Sequence, residues 1–162
     1  MTETDYEIRA LTPQDRAWVA SWLDKHWGST AIVTRGQSYY AHLLPGFVAE
    51  KDGEHIGLVT YRIDGPSCEL MTLDSLQPGQ GIGSALIEAV KEAAKEAGCK
   101  RLWLITTNDN LEALRFYQKR GFELVAVHRN AIAEARRLKP QIPLVGKEGI
   151  PIRDEIELEV KL

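Results

Sequence analysis

From Ile82 to Ala97 the apolar residues fall at Ile82, Ala85, Leu86, Ala89, Val90, Ala93, Ala94 and Ala97. This is the i, i+3, i+4, i+7 spacing of one helical face, kept without a miss. A helix so patterned must bury that face. Gly98 ends it as a C-cap glycine, and Arg101-Leu102-Trp103-Leu104-Ile105 follows as a strand expected to be buried on both faces. Ser67 to Leu73 reads as a strand ahead of the helix, separated from it by Gln77-Pro78-Gly79-Gln80-Gly81-Ile82-Gly83. Strand, glycine-rich turn, helix and strand make a right-handed crossover, which places the chain among α/β folds.

The flanking segments add antiparallel strands. Phe47 to Glu50 and His55 to Ile63 enclose Lys51-Asp52-Gly53-Glu54, and Asp-Gly between apolar runs predicts a hairpin. Glu7 to Leu11 reads as a first strand, followed by a helix to about Lys25 with Thr12 as cap and Pro13 at its first position. Trp18, Val19, Trp22 and Leu23 share one face of that helix, as core side chains do. After Thr106 to Asn110, a polar loop, a further helix runs from Leu111 to Arg120 and stops at Gly121. Phe122 to Val127 is a strand and Ala131 to Leu138 a short helix before Pro140. In the last segment Ile156, Leu158, Val160 and Leu162 alternate with Glu155, Glu157, Glu159 and Lys161, as in a half-buried antiparallel strand.

At 162 residues one core suffices, so a single domain over 1–162 is expected. Twenty Lys and Arg against 23 Asp and Glu give a net charge of -3, which offers no long-range attraction to nucleic acid or anionic lipid. Met1 to Glu7 is acidic and no long apolar run occurs, so no membrane segment and a cytoplasmic location are expected. Cys68 and Cys99 have no metal-ligand spacing. They are expected to be free thiols, and no metal is expected.

A turn with glycines at 79, 81 and 83 lets backbone N–H groups converge, and the helix that starts there adds unpaired donors and a positive dipole end. A phosphate group suits such a place. A P-loop would need Lys and then Ser or Thr after the last glycine, where Ser84-Ala85 stands. A dinucleotide fingerprint would need glycine at 84. The stretch from Leu70 to Phe122 instead resembles the GNAT acetyltransferase superfamily, whose phosphate motif is Gln/Arg-x-x-Gly-x-Gly/Ala, here Pro78-Gly79-Gln80-Gly81-Ile82-Gly83. A second landmark, Asn110-Leu111-Glu112-Ala113-Leu114-Arg115-Phe116-Tyr117 closing on Gly121-Phe122, is similar to the family's Asn-started helix. Pro78 departs from the motif, because proline has no N–H to give to phosphate.

The resemblance implies a mixed, mostly antiparallel sheet with a central splayed parallel strand pair, flanked by helices. It also implies acetyl-CoA as co-substrate. Gly79, Gln80, Gly81, Ile82, Gly83 and Ser84 would hold the pyrophosphate, while the backbone of Met71, Thr72 and Leu73, with Asn110 and Tyr117, would hold the pantetheine arm. Tyr117 would be the acid near the cofactor sulfur. A thiol with pKa near 8.5 leaves readily, whereas an amine near 10.4 must lose a proton, at a cost of about 4 kcal/mol at pH 7. A base therefore matters more than an acid. The family position on the strand Leu102 to Thr106 is Ile105, so Glu69 on the preceding strand is the first choice. His26, His42, His55 and His128 are scattered singly.

The acceptor is expected to be a primary amine of a small molecule or a peptide. Lys139 to Arg153 and Trp27 to Tyr40 would border it, with Arg153, Asp154 and Glu155 reading its charge. A solvent loop or a homodimer contact is the other reading of the long segment. An acyl-CoA-binding sensor that has lost catalysis is the alternative function.

Overall fold

The computed structural model describes residues 5–77 and 79–162. Met1 to Thr4 and Pro78, including its place in the phosphate motif, lie outside the described residues. The chain divides into two compact units: residues 1–30, 40–102 and 162 in the first, and 31–39 and 103–161 in the second.

In the first unit, β1 (Glu7–Ala10), β4 (Gly46–Lys51), β5 (Glu54–Asp64) and β6 (Ser67–Ser75) lie side by side, each antiparallel to the next. The β4–β5 turn has Asp52 and Gly53 at φ 51° and 80°, the paired left-handed residues of a primed hairpin turn. Within β6, Thr72 opposes Thr60 while Leu70 opposes Tyr61, so Met71 is the extra residue of a bulge, which bends and twists a strand. α2 (Ile82–Glu96) buries Ile82, Leu86, Ile87, Val90 and Ala94. It packs closely because Gly57 has no side chain: a Cβ there would lie 2.7 Å from Ile82 Cγ2. Gly98 at φ 83°, with Cys99 N–H donating to the Ala94 carbonyl at 2.9 Å, closes the helix in a Schellman motif.

α1 (Arg16–Trp27) follows a 3-10 turn, Pro13–Asp15, and buries Val19, Trp22 and Leu23. Asp15 is the hub of this corner. Its buried carboxylate accepts the Thr12 N–H at 2.8 Å, the Trp18 indole N–H at 2.7 Å and both terminal nitrogens of Arg9 at 2.9 Å. Arg9 also pairs with Glu50. Cys68 and Cys99 are buried free thiols, and burial pushes the Cys68 thiol up to about 12.

β7 (Arg101–Thr107) starts in the first unit as the parallel neighbour of β6 and continues into the second. There β9 (Glu155–Lys161) lies between β7 and β8 (Glu123–His128), antiparallel to β8. β2 (Ala31–Thr34) and β3 (Gln37–Tyr40) form a separate two-stranded sheet in a region read from sequence as connecting chain. The sheet is thus mixed, mostly antiparallel with one parallel pair, and flanked by helices. β7 corrects one expectation: Leu102 and Leu104 are buried but Trp103 and Ile105 only half so, an alternation instead of burial on both faces.

Candidate functional site

The end of β6 is held by a carboxylate. Asp74 Oδ2 accepts the indole N–H of Trp22 at 3.1 Å and of Trp27 at 2.8 Å, tying the last turns of α1 to the strand just before the glycine turn. Gly79 and Gly81 then take left-handed φ of 82° and 74°, a conformation costing an L-residue roughly 1–2 kcal/mol. Gly81 caps α2, whose first helical bond runs from Ala85 N–H to the Gly81 carbonyl at 3.0 Å. The amides of Gly81, Ile82 and Gly83 therefore precede the hydrogen-bond ladder. Gly83 sits inside the first turn of α2 without a positive φ, so two glycines and not three shape the turn. Gly79, Gln80 and Gly81 are exposed, Ser84 is half-buried, and the Ile82 side chain is in the core.

Met71 and Thr72 are buried and Leu73 half-buried. The Thr72 hydroxyl bonds the Thr60 hydroxyl at 2.7 Å across β5 and β6. Glu69, on the same strand, has a side chain only 4% exposed and pairs with Arg62 at 3.2 Å. At about 3.4 Å per residue it stands roughly 14 Å along β6 before Leu73.

The second unit carries the other landmark. α3 (Leu111–Lys119) is capped by Asn110, whose Oδ1 accepts Ala113 N–H at 3.2 Å, and it ends at Gly121 with φ 91°. Phe122 N–H returns to the Tyr117 carbonyl at 3.1 Å. The half-buried Tyr117 ring stands edge-on to Phe116 and Phe122, at centroid distances of 5.2 and 5.4 Å. Ahead of Asn110, buried Asp109 accepts the Thr107 hydroxyl and the Lys147 N–H. A Cβ at Gly146 would lie 2.0 Å from its Oδ2, so only glycine fits there.

The long segment after α4 (Ala131–Leu138) is a folded piece. Arg136 donates to the carbonyls of Ile142, Pro143 and Ile152, Gly146 N–H donates to the Ile150 carbonyl at 2.8 Å, and Val145 bridges Pro151. Asn108 Oδ1 accepts the N–H groups of Arg153 and Asp154, each at 2.9 Å. Asp154 is buried and spends its carboxylate on Asn130 N–H and on Arg153, whose guanidinium holds its pKa below the usual carboxylate range.

Glu155 departs from the alternating pattern. It is buried, with a side chain 4% exposed. Desolvation raises its carboxyl pKa, while the backbone amide and guanidinium of Arg35 and the ring of His128 pull the other way. Arg35 was not singled out in the sequence. It occupies the β2–β3 turn at φ 51° beside Gly36 at 73°, and an Arg-Gly pair is a weaker turn signal than Asp-Gly.

Among the described residues no group of His, Cys, Asp or Glu is placed to hold a metal ion. No helix among them is long and apolar enough to cross a membrane.

A strand, a left-handed glycine turn and a helix start in one unit, with an Asn-capped helix ending on Gly-Phe in the other, are the parts of an acetyltransferase fold. The sequence matches the Acetyltransferase (GNAT) family over residues 6–122, and the chain belongs to that family. It is 51% identical to the uncharacterised protein YdhI of Bacillus subtilis (strain 168) over 133 residues, 82% of this chain and 83% of that protein. The IAA acetyltransferase of Bacillus cereus ATCC 14579 is similar in structure, with a TM-score of 0.69 at 22% identity over 97% of this chain and 99% of that one. A GNAT family acetyltransferase of Elizabethkingia anophelis, solved with acetyl-CoA bound, has a TM-score of 0.69 at 22% identity over 99% of this chain and 100% of its own. At such identity these structures bear on the fold alone.

Proposed function

We propose that residues 1–162 form one cytoplasmic N-acetyltransferase domain that moves the acetyl group of acetyl-CoA to a primary amine of a small molecule or a peptide. The observation that carries this reading is the pair of left-handed glycines, Gly79 and Gly81, which present exposed amides at the start of α2 directly after β6. Such a helix start favours phosphate by its donors and its dipole. Gly79 to Ser84 are the pyrophosphate residues in this reading. Met71, Thr72, Leu73, Asn110 and Tyr117 serve the pantetheine arm, and the bulge at Met71 supports the use of irregular main chain there. The acetyl-CoA seen in the Elizabethkingia protein supports the choice of co-substrate.

Tyr117 is our acid for the departing thiolate. Glu69 remains a candidate base, although its carboxylate is engaged by Arg62. Arg153, Asp154 and Glu155 are the candidate acceptor residues, and of these Asp154 is already engaged by Asn130 and Arg153.

The test is to mix purified protein with acetyl-CoA and a broad panel of primary amines and to follow free thiol. Acceptor-stimulated thiol release is expected. Cofactor binding with no release across the panel would instead indicate an acyl-CoA sensor.

A further inference from the structure

Glu155 is a charged group kept in a buried place on terms that leave it short of partners. Desolvating a carboxylate costs several kcal/mol unless cations and donors surround it. An ionised carboxylate has about four acceptor sites. Among the described residues the donors that Arg35 offers it are distant: the N–H at 3.4 Å and the guanidinium at 3.9 Å, both at the outer limit of such contacts. The neighbouring Thr34 hydroxyl is buried, lies near enough to favour the ionised carboxylate, and yet makes no hydrogen bond of good geometry. Arg62 on Glu69 and Arg153 on Asp154 stand closer, at 3.2 and 2.9 Å.

The carboxylate also lies at a telling end of its unit. β9 begins where β7 ends: Asn108 N–H donates to the Asp154 carbonyl at 3.2 Å, and Asn110 caps α3 two residues further on. Arg35 comes from the exposed β2–β3 turn and its side chain is 43% exposed, so it can leave Glu155 for water without unfolding anything. The charged groups facing Glu155 are Arg35 from that turn, His128 opposite it on β8, and Glu157 on the same face of β9, which bonds His128 at 3.0 Å.

We propose that Glu155 receives the ammonium group of the acceptor and takes its proton, and that Arg35 is the stand-in cation that holds the carboxylate until the acceptor displaces it. The inference rests on the acetyltransferase reading and names the proton acceptor for it. An alkylammonium near pKa 10.4 is charged at pH 7; docked on Glu155 it supplies the three donors that the carboxylate and Thr34 lack. One N–H proton passes to a Glu155 oxygen, leaving a neutral amine. The nitrogen lone pair then forms the C–N bond to the acetyl carbonyl carbon, the C–S bond breaks, and the electron pair leaves on the cofactor sulfur. Tyr117 gives its hydroxyl proton to that thiolate and is reprotonated by the second nitrogen proton, and Glu155 returns its own proton to solvent after the amide departs. A carboxyl raised by burial is a better match to this task than an ordinary one.

The experiment follows the His128 ring by NMR in protein saturated with CoA, with the signal assigned through a His128→Asn variant, while primary amines are titrated in. The same amines are assayed for turnover with acetyl-CoA. In the parent, amines that are acetylated should shift the His128 signals. Glu155→Gln should abolish the shift and raise KM for the amine at least tenfold, with KM for acetyl-CoA within twofold, and should remove the acidic limb of kcat/KM. Glu155→Asp should restore part of both. Gln keeps the shape and removes a buried charge, so its Tm at pH 7 should be no lower than the parent's. Acetylation without a His128 shift, a shift that survives Glu155→Gln, or loss of the acidic limb on Glu69→Gln alone would overturn the inference and leave the acetyltransferase reading standing. A Glu155-dependent shift with no acetylation would leave the ammonium site and overturn that reading. No shift and no turnover would overturn both.

Discussion

Replacing Gly57 with Ala tests how the sheet sets the position of the glycine turn. The new Cβ would lie 2.7 Å from Ile82 Cγ2, 3.1 Å from Leu86 Cδ1 and 3.3 Å from the Asp74 carbonyl oxygen. Carbon atoms rest about 3.5–4.0 Å apart, so roughly 1 Å is missing at Ile82. Ile82 is 1% exposed and β-branched, with a stiff χ1; it cannot turn aside, and the first turn of α2 has to move. Overpacking costs about 1–3 kcal/mol, and the reduced freedom of the unfolded chain returns about 0.4–1 kcal/mol. A net loss of about 1–2 kcal/mol lowers Tm by roughly 2–8 °C in a chain of this size. The amides of Gly81 to Gly83 move with Ile82. A hydrogen bond to a charged group is worth about 1.5–3 kcal/mol, so weakening one should raise the Kd of acetyl-CoA about tenfold. Calorimetry gives Tm, and titration gives Kd. Gly65→Ala is the control: its Cβ meets nothing within 4 Å and only the φ of 58° is strained, so it should lower Tm and leave Kd alone. An unchanged Kd in Gly57→Ala, or an equal change in Gly65→Ala, would refute the link between sheet packing and the proposed cofactor turn.

Tyr117→Phe should lower kcat about tenfold with KM for acetyl-CoA within twofold, since an acid acts in the transition state; an unchanged rate with chemistry limiting would leave the ring a packing partner of Phe116 and Phe122. The Arg9 guanidinium, then the Trp18 indole and the Thr12 amide, hold the Asp15 carboxyl well below the usual range. Its stabilisation is therefore complete above the unfolded value near 3.9 and fades as pH falls through the folded one. Asp15→Asn should cost about 1–3 kcal/mol at pH 7, discounted because Arg9 is 40% exposed. The Tm gap to the parent should narrow below about pH 4, and a gap independent of pH would remove the ion pair from the account.

What the sequence made legible is what neighbours in the chain decide. The α2 periodicity, the Gly98 stop and the Asp52-Gly53 turn each depend on residues a few places apart, and each stands where expected. The strand at Arg101 to Ile105 differs from its expected burial because a short apolar run looks alike whether one face or both are covered. The β2–β3 hairpin escaped notice because Arg35 takes a left-handed φ that aspartate or glycine would have advertised. The bulge at Met71 leaves no mark in composition, since it is a matter of register with β5. The alternation that Glu155 shares with Glu157 and Glu159 marks one polar face of β9 and gives no sign that its first member is buried. The contacts of Glu155 with Arg35 and its place opposite His128 involve residues far away in the chain.

Each unit also fastens its landmark through a carboxylate with neutral donors. In the first, two indole N–H groups from α1 hold Asp74 before the glycine turn. In the second, the Thr107 hydroxyl and the Lys147 N–H hold Asp109 before Asn110. A negative side chain near a site proposed for an anion looks adverse, but the sizes of the effects decide. Two unit charges 8 Å apart in water repel by about 0.5 kcal/mol, whereas ordering one backbone residue costs about 1–2 kcal/mol. A carboxylate offers about four acceptor sites and no donor that itself needs a partner, so it takes two N–H or O–H donors at once, whereas an amide or hydroxyl brings its own N–H or O–H to be satisfied. Pre-ordering the turn removes that entropy from the binding step, and the gain exceeds the repulsion once a single residue has been held in place.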